Sequence, residues 1–312
     1  MIVDRRMLMG GALAAACMPG LAGAAPPVKE GYAAVPGGRI WWMKVGGGRK
    51  TPLLTLHGGP GAGHDYLLPL RALADDRPVI FYDQLGCGRA DSPVDEKIYT
   101  IQRAVDEVDA VRRALGLERV NLFGHSWGAM LAIEYLCRGR GRGVEKLVLG
   151  GALASVDQAM AGQQRLIDGL PDGAGAKMHA LEAAGKTDSP EYGQLVQLFY
   201  DRHVCRVSPP PPEAAATIAN LSTSIAYRVM NGSNEFTVTG VIKGWDRRRD
   251  LGRIRVPTWI TTGEYDEVTL DCHQTIQRGI AGAKLQVFKG CSHLTMNERP
   301  AEYVAALRGY LG

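Results

Sequence analysis

No two of the six cysteines form a CxxC pair, and no Asp/Glu/His cluster has the spacing of metal ligands. Neither a zinc site nor a full disulfide framework is therefore indicated, although a single bridge stays open. No glycine-rich loop has phosphate-binding spacing. The net charge is only +4 at pH 7, and no basic stripe with interleaved aromatics occurs, which argues against nucleic acid as a partner. Internal repeats are absent, and Pro209-Pro210-Pro211-Pro212 is the one low-complexity stretch. The uncharged run from Met7 to Leu21 is too short and glycine-rich for a stable membrane span. What is present is a chain of 312 residues, 46% hydrophobic and 22% charged, an ordinary composition with ample length for a sizeable core.

The N-terminus has a separate character. Arg5-Arg6 precede the weakly apolar run, and Ala22-Gly23-Ala24 offers a small-x-small cleavage pattern. Together they read as a twin-arginine export signal over residues 1–24, which places the mature chain in the periplasm or outside the cell, off the membrane once cleaved. Five cysteines would remain, an odd number that suits a protein exported already folded.

From residue 25 to 154 strand and helix signals alternate. Gly31 to Val45 reads as a hairpin turning at Pro36-Gly37-Gly38, followed by strands Pro52–Leu56, Pro78–Tyr82, Val120–Phe123 and Lys146–Leu149. Helices are expected over Asp65–Leu73 and, capped by Thr100, over Ile101–Leu115, with Ala104, Val105, Val108 and Val111 on one stripe. Residues 155–246 lose strand signals and become helical and polar. Alternation resumes over 247–312 with strands Pro257–Thr262 and Leu285–Phe288 and a closing helix Pro300–Leu311. The rhythm predicts a mostly parallel central sheet with helices on both faces, and a helical cap inserted over the carboxyl edge of the strands, where open α/β sheets bind ligands.

Gly124-His125-Ser126-Trp127-Gly128 fits G-x-S-x-G between a buried strand and the helical stretch Trp127–Cys137. That context is the strained turn that lifts a serine hydroxyl clear and sets it at the positive end of a helix. A serine needs a base, and the base needs a carboxylate. In an α/β-hydrolase sheet the acid follows the nucleophile and the histidine comes last. Asp266 and His293, each on a loop just after a strand, suit those roles, with Glu264 and Glu267 as rivals for the acid. The oxyanion hole is expected from the N–H of Trp127 and from Gly59 in His57-Gly58-Gly59-Pro60-Gly61, with His57 anchoring the loop.

The blocks His57–Gly61, Asp83-Gln84-Leu85-Gly86-Cys87-Gly88-Arg89 and Gly124–Gly128 together resemble the proline iminopeptidase family of α/β-hydrolases, from about Gly31 to the C-terminus. Ala90 departs from the family's usual serine, with Ser92 two positions on. Asn231–Phe236 and Gly263–Thr269 are similar to the subgroup of the tricorn-interacting aminopeptidase. The resemblance implies that Glu235 and Glu267 bind the free α-amine of the substrate. An α-ammonium, pKa about 8, is largely charged at neutral pH and needs fixed negative charge inside a capped pocket.

The reading that follows is an exported serine aminopeptidase acting through an acyl-enzyme on short peptides, releasing an N-terminal residue such as proline, without metal or other cofactor. An amino-acid amidase on the same scaffold shares the amine. A carboxylesterase needs none, and a non-catalytic binding protein would need no triad. The number of subunits is left open.

Overall fold

A computed structural model describes residues 26–232 and 234–312; the segment 1–24 read as an export signal lies outside the described residues. Eight strands form one sheet: β1 Val28–Val35, β2 Gly38–Val45, β3 Leu53–Leu56, β4 Val79–Asp83, β5 Val120–His125, β6 Val144–Gly150, β7 Thr258–Gly263 and β8 Lys284–Phe288. Their order is β1-β2-β4-β3-β5-β6-β7-β8. β2 pairs antiparallel with β1 and with β4, and every other neighbouring pair is parallel. This is the mostly parallel sheet expected of the α/β-hydrolase fold.

Alternation along the central strands divides the core in two. Leu54, Leu56, Ile80, Tyr82, Leu122, Leu147 and Ile260 point to one face. They meet helices α1 Ile101–Ala114 and α2 Trp127–Cys137. Leu53, Val79, Phe81, Phe123, Val148 and Trp259 point to the other face. There they meet the segment Asp65–Leu73 and the last helix, Pro300–Leu311. Both faces of a parallel sheet must be covered because its strands are apolar on both sides. Thr100 caps α1, its hydroxyl accepting from Arg103 N–H at 3.1 Å. The helix expected over Asp65–Leu73 is present, and it winds as a 3₁₀ helix with Pro69 inside. Proline lacks the N–H an α-helix would use and crowds the carbonyl four residues back, so the tighter form prevails.

Five helices lie between β6 and β7: α3 Val156–Asp168, α4 Ala174–Ala183, α5 Pro190–His203, α6 Pro212–Thr223 and α7 Ile225–Met230. After β7 come α8 Leu270–Gly279, α9 Thr295–Glu298 and α10 Pro300–Leu311. The two ends of the helical segment meet in a bridge between Ser155 and Asp246. It has a core of its own, with Phe199 and Phe236 in edge-to-face contact at 5.1 Å among Ile167, Met178 and Tyr192. Among the described residues the five cysteines are unbridged and buried, and no helix is long and apolar enough to cross a membrane.

Glu134, on α2 and 1% exposed, fastens the end of the helical segment to the core. It accepts from Trp245 Nε1 at 2.9 Å, from Arg247 Nε at 2.6 Å and from Arg138 Nε at 2.5 Å. Burial opposes its charge, but these donors outweigh burial and hold the carboxyl down at about 2. Its folded value lies below the ordinary 4.5, so the stabilisation is full above pH 4.5 and fades as pH falls towards 2. Glu134→Gln is therefore expected to lower stability by about 2–3 kcal/mol at neutral pH, below the usual range for a broken buried pair because both arginines are partly exposed. In urea denaturation at a series of pH values, the gap between wild type and variant should close below pH 4.5.

Candidate active site

Ser126 follows directly on β5 and opens α2 with φ 55° and ψ −121°, a conformation that non-glycine residues rarely hold. Two glycines make the turn fit. A Cβ on Gly128 would stand 2.0 Å from Leu56 O, and one on Gly124 would stand 2.3 Å from Gly128 O. Only bare backbone lets α2 lie this close to β3 and β5. Ser126 N–H donates to Gly150 O at 2.9 Å, which ties the turn to β6.

The other two residues of the expected triad reach the same edge. His293 Nδ1 donates to Asp266 Oδ1 at 2.8 Å. That carboxylate also accepts from Val268 N–H at 2.9 Å and from the Thr262 hydroxyl at 3.0 Å. Burial works against the Asp266 charge, yet His293 and these donors hold it below the ordinary carboxylate value. The rival Glu264 is exposed and accepts from Gly290 N–H at 2.9 Å, away from the imidazole. Glu267 takes a different place, its Oε1 lying 3.5 Å from Nε2, the opposite ring nitrogen. Ser126 and His293 line one cavity.

Gly59 and Trp127 line the cavity wall beside Ser126. The Trp127 N–H is the first of its helix and has no intrahelical acceptor. The Gly59 backbone has φ +108°, and an added Cβ would stand 2.4 Å from Gly61 N. His57 anchors the loop, as expected: Nε2 accepts from Gln84 N–H at 3.0 Å, and Gln84 Nε2 donates to His57 O at 3.0 Å. Gln84 Oε1 also accepts from Trp127 Nε1 at 2.9 Å, so the Asp83–Arg89 block clamps both flanks of the expected oxyanion hole.

Glu235 and Glu267 both face the space around Ser126, and each lines both cavities that meet there. Glu235 Oε2 accepts from the Tyr227 hydroxyl at 2.8 Å, and Glu267 Oε2 from Gln163 Nε2 at 3.3 Å. Burial, with Glu235 and Asp266 nearby, pushes Glu267 up to about 8, although His293 and Gln163 oppose the shift. Burial also raises Glu235, although Tyr227 and His293 pull the other way. At His293 burial disfavours the cation, but Asp266, Glu267 and Glu235 outweigh it and lift the imidazole to about 9. Among the described residues no cluster of His, Cys, Asp and Glu is disposed to hold a metal ion.

Several residues at the site carry no mark in the sequence. His125 is the variable letter of the serine motif. Tyr66 accepts from Gly58 N–H at 2.7 Å, and its hydroxyl meets His125 Nδ1 at 3.0 Å. His125 Nε2 then lies 3.0 Å from His293 O. If Tyr66 donates to Nδ1, Nε2 carries the proton, and one chain runs from the expected oxyanion loop to the backbone of His293. Burial, followed by the neighbouring His293, pushes His125 down to about 3, which keeps it neutral. His203, at the end of α5, offers its main-chain carbonyl to the N–H groups of both Glu267 and His293 at 3.1 Å. Among the insertion's other aromatics, Phe199 and Trp245 are core, whereas Tyr200 lines the Ser126 cavity.

The arrangement can activate an alcohol, hold an oxyanion and bind a cation within one buried space. A neutral fluorophosphonate should label Ser126, as read by mass spectrometry of the peptide. Asp266→Asn should slow labelling by about 10⁴, since the imidazole loses its fixed tautomer, while circular dichroism stays unchanged.

The chain is similar to known proteins over most of its length. Residues 53–307 match the model of the "Alpha/beta hydrolase family". Proline iminopeptidase of Saccharolobus solfataricus is 38% identical over 288 residues, covering 91% of this chain and 92% of the relative. That of Thermoplasma volcanium is 41% identical over 278 residues, covering 88% and 94%. The crystal structure of proline iminopeptidase from Mycobacterium smegmatis superposes with a TM-score of 0.85 at 35% identity, covering 91% of this chain and 97% of that one.

Proposed function

This chain belongs to the proline iminopeptidase family of α/β-hydrolases, and we propose that it is a serine aminopeptidase releasing an N-terminal residue, proline above all, from short peptides through an acyl-enzyme. The observation that carries the reading is the pair of acidic side chains, the buried Glu267 and the half-buried Glu235, facing the cavity that holds Ser126 and His293. An esterase has no use for two acidic groups there, and their desolvation is costly without a cationic guest. The substrate's α-ammonium is that guest.

With the amine so held, the first carbonyl lies against Ser126. His293 takes the Ser126 proton through Nε2 as the oxygen attacks, and Asp266 stabilises the imidazolium from Nδ1. Gly59 and Trp127 donate N–H groups to the carbonyl oxygen as it becomes an oxyanion, each worth roughly 3–4 kcal/mol. His293 returns the proton to the leaving amine. Water, deprotonated by the same imidazole, then hydrolyses the ester and frees the amino acid. Residues 155–246 act as the cap that keeps this space dry, since Glu235, Tyr227 and Gln163 all come from it.

Amino-acid amides satisfy the same contacts and are expected to be alternative substrates. The test compares prolyl-2-naphthylamide, its N-acetylated form and p-nitrophenyl acetate. The free-amine compound should be strongly preferred. Glu235→Gln should lower its kcat/KM by about 2–5 kcal/mol, or roughly 1.5–3.7 powers of ten, and leave the acetate ester nearly unchanged. Equal losses on both would remove the amine site.

We also propose that residues 1–24 export the protein as a twin-arginine signal, on the strength of Arg5-Arg6, the weakly apolar run and Ala22-Gly23-Ala24. Replacing Arg5 and Arg6 by Lys should retain it in the cytoplasm, as read by cell fractionation; an unchanged location would overturn this.

A further inference from the structure

The nitrogen of His293 that must accept the serine proton faces a carboxylate. His293 Nε2 is 3.5 Å from Glu267 Oε1, with both side chains buried, while Nδ1 is fixed on Asp266 at 2.8 Å. Among the described residues the Ser126 hydroxyl forms no hydrogen bond with His293. In this arrangement Nε2 therefore faces Glu267, one of the two groups read as the amine receptor.

The groups around the imidazole make this contact consequential. Asp266 and Glu267 approach from the loop between β7 and α8, and Glu235 from the helical segment. His125 stands beside it with ring centroids 4.6 Å apart, and His273 on α8 lies in the same field. Burial lowers both of these histidines, so neither supplies positive charge at neutral pH. The hydrogen-bond partners of Glu235 and Glu267 are the neutral Tyr227 and Gln163. Among the described residues neither glutamate is paired with a lysine or arginine. Among the described residues the imidazole is thus the group facing these three carboxyl side chains that can carry a positive charge.

Resting on the amine-site reading above, we propose that Glu267 couples recognition to activation: in the empty site it holds the Nε2–H of an imidazolium, and an arriving α-ammonium takes Glu267 over and frees Nε2 to act as base. The displaced Nε2 proton leaves through the cavity to water, and the neutral imidazole then accepts the proton of Ser126. The ammonium contributes twice, by occupying the carboxylate and by repelling the imidazolium. A substrate without a free amine meets an enzyme whose base is blocked. The upward displacement of His293 by the surrounding carboxylates fits this direction.

The pH dependence of kcat/KM for p-nitrophenyl acetate reports the free enzyme, and kcat for prolyl-2-naphthylamide reports the complex. In the wild type the rising limb for the acetate should lie well above the ordinary histidine value, with the kcat limb for the prolyl substrate at least about one unit lower. Glu267→Gln removes a carboxylate, so the imidazolium loses support and the acetate limb should move down by about one unit. Acetate turnover at pH 7 should then rise about tenfold while prolyl-naphthylamide turnover falls. An acetate limb that stays in place in a folded variant, or acetate turnover that falls, would overturn the coupling. If the variant does not fold, the wild-type comparison decides, and coincident limbs would overturn the proposal. Failure of the amine reading itself looks different: Glu235→Gln would then affect both substrates alike.

Discussion

One imidazole among three carboxylates sets the terms for this molecule. Asp266 holds Nδ1 of His293 at 2.8 Å and Glu267 stands 3.5 Å from Nε2, with Glu235 completing the field. Such a charge cluster is unstable in a protein interior unless its members are paired, hydrogen-bonded and fixed. Much of the surrounding architecture does that fixing. Thr262 and Val268 N–H hold Asp266, Gln163 holds Glu267 and Tyr227 holds Glu235.

The holding groups come from both halves of the fold. Asp266 and His293 belong to loops at the carboxyl edge of the sheet, whereas Tyr227, Glu235 and Gln163 belong to the helical segment. The two halves are stitched at the site itself, where the His203 carbonyl at the end of α5 receives the N–H groups of Glu267 and His293, and the Val204 carbonyl receives that of Leu294. A shift of α5 would therefore move His293 and the proposed amine receptor Glu267 together. Farther away, Glu134 with Arg138, Arg247 and Trp245 pins the other end of the segment against α2.

Much of this was legible in the chain. The G-x-S-x-G letters predict a strained turn, and the turn at Ser126 has φ 55°. Position after a strand was enough to choose Asp266 and His293, and Asp266 rather than Glu264 holds the imidazole. Less legible was the form of Asp65–Leu73, where the sequence reads as a helix without saying which kind and Pro69 imposes the tighter 3₁₀ form. Glu235 was indicated by resemblance alone, because nothing local in Asn231–Phe236 says that Phe236 will pack on Phe199 and bring the preceding carboxylate inward. Tyr66, His125 and Gln84 were invisible as site residues, since each acts through a hydrogen bond to a segment remote in the chain.

Sequence alone determined the succession of strands and helices, the serine turn with its two close-packing glycines, and the places of Asp266 and His293 on loops just after strands. These follow from steric rules and periodicities that act over a few residues, so they are written locally. Tertiary structure decided that Glu267 faces Nε2 rather than solvent, that Glu235 reaches the same space, and that three carboxylates share one imidazole. Those facts depend on how the helical segment lies across the sheet edge, and a side chain's charge state in that space is set by neighbours that local patterns do not encode.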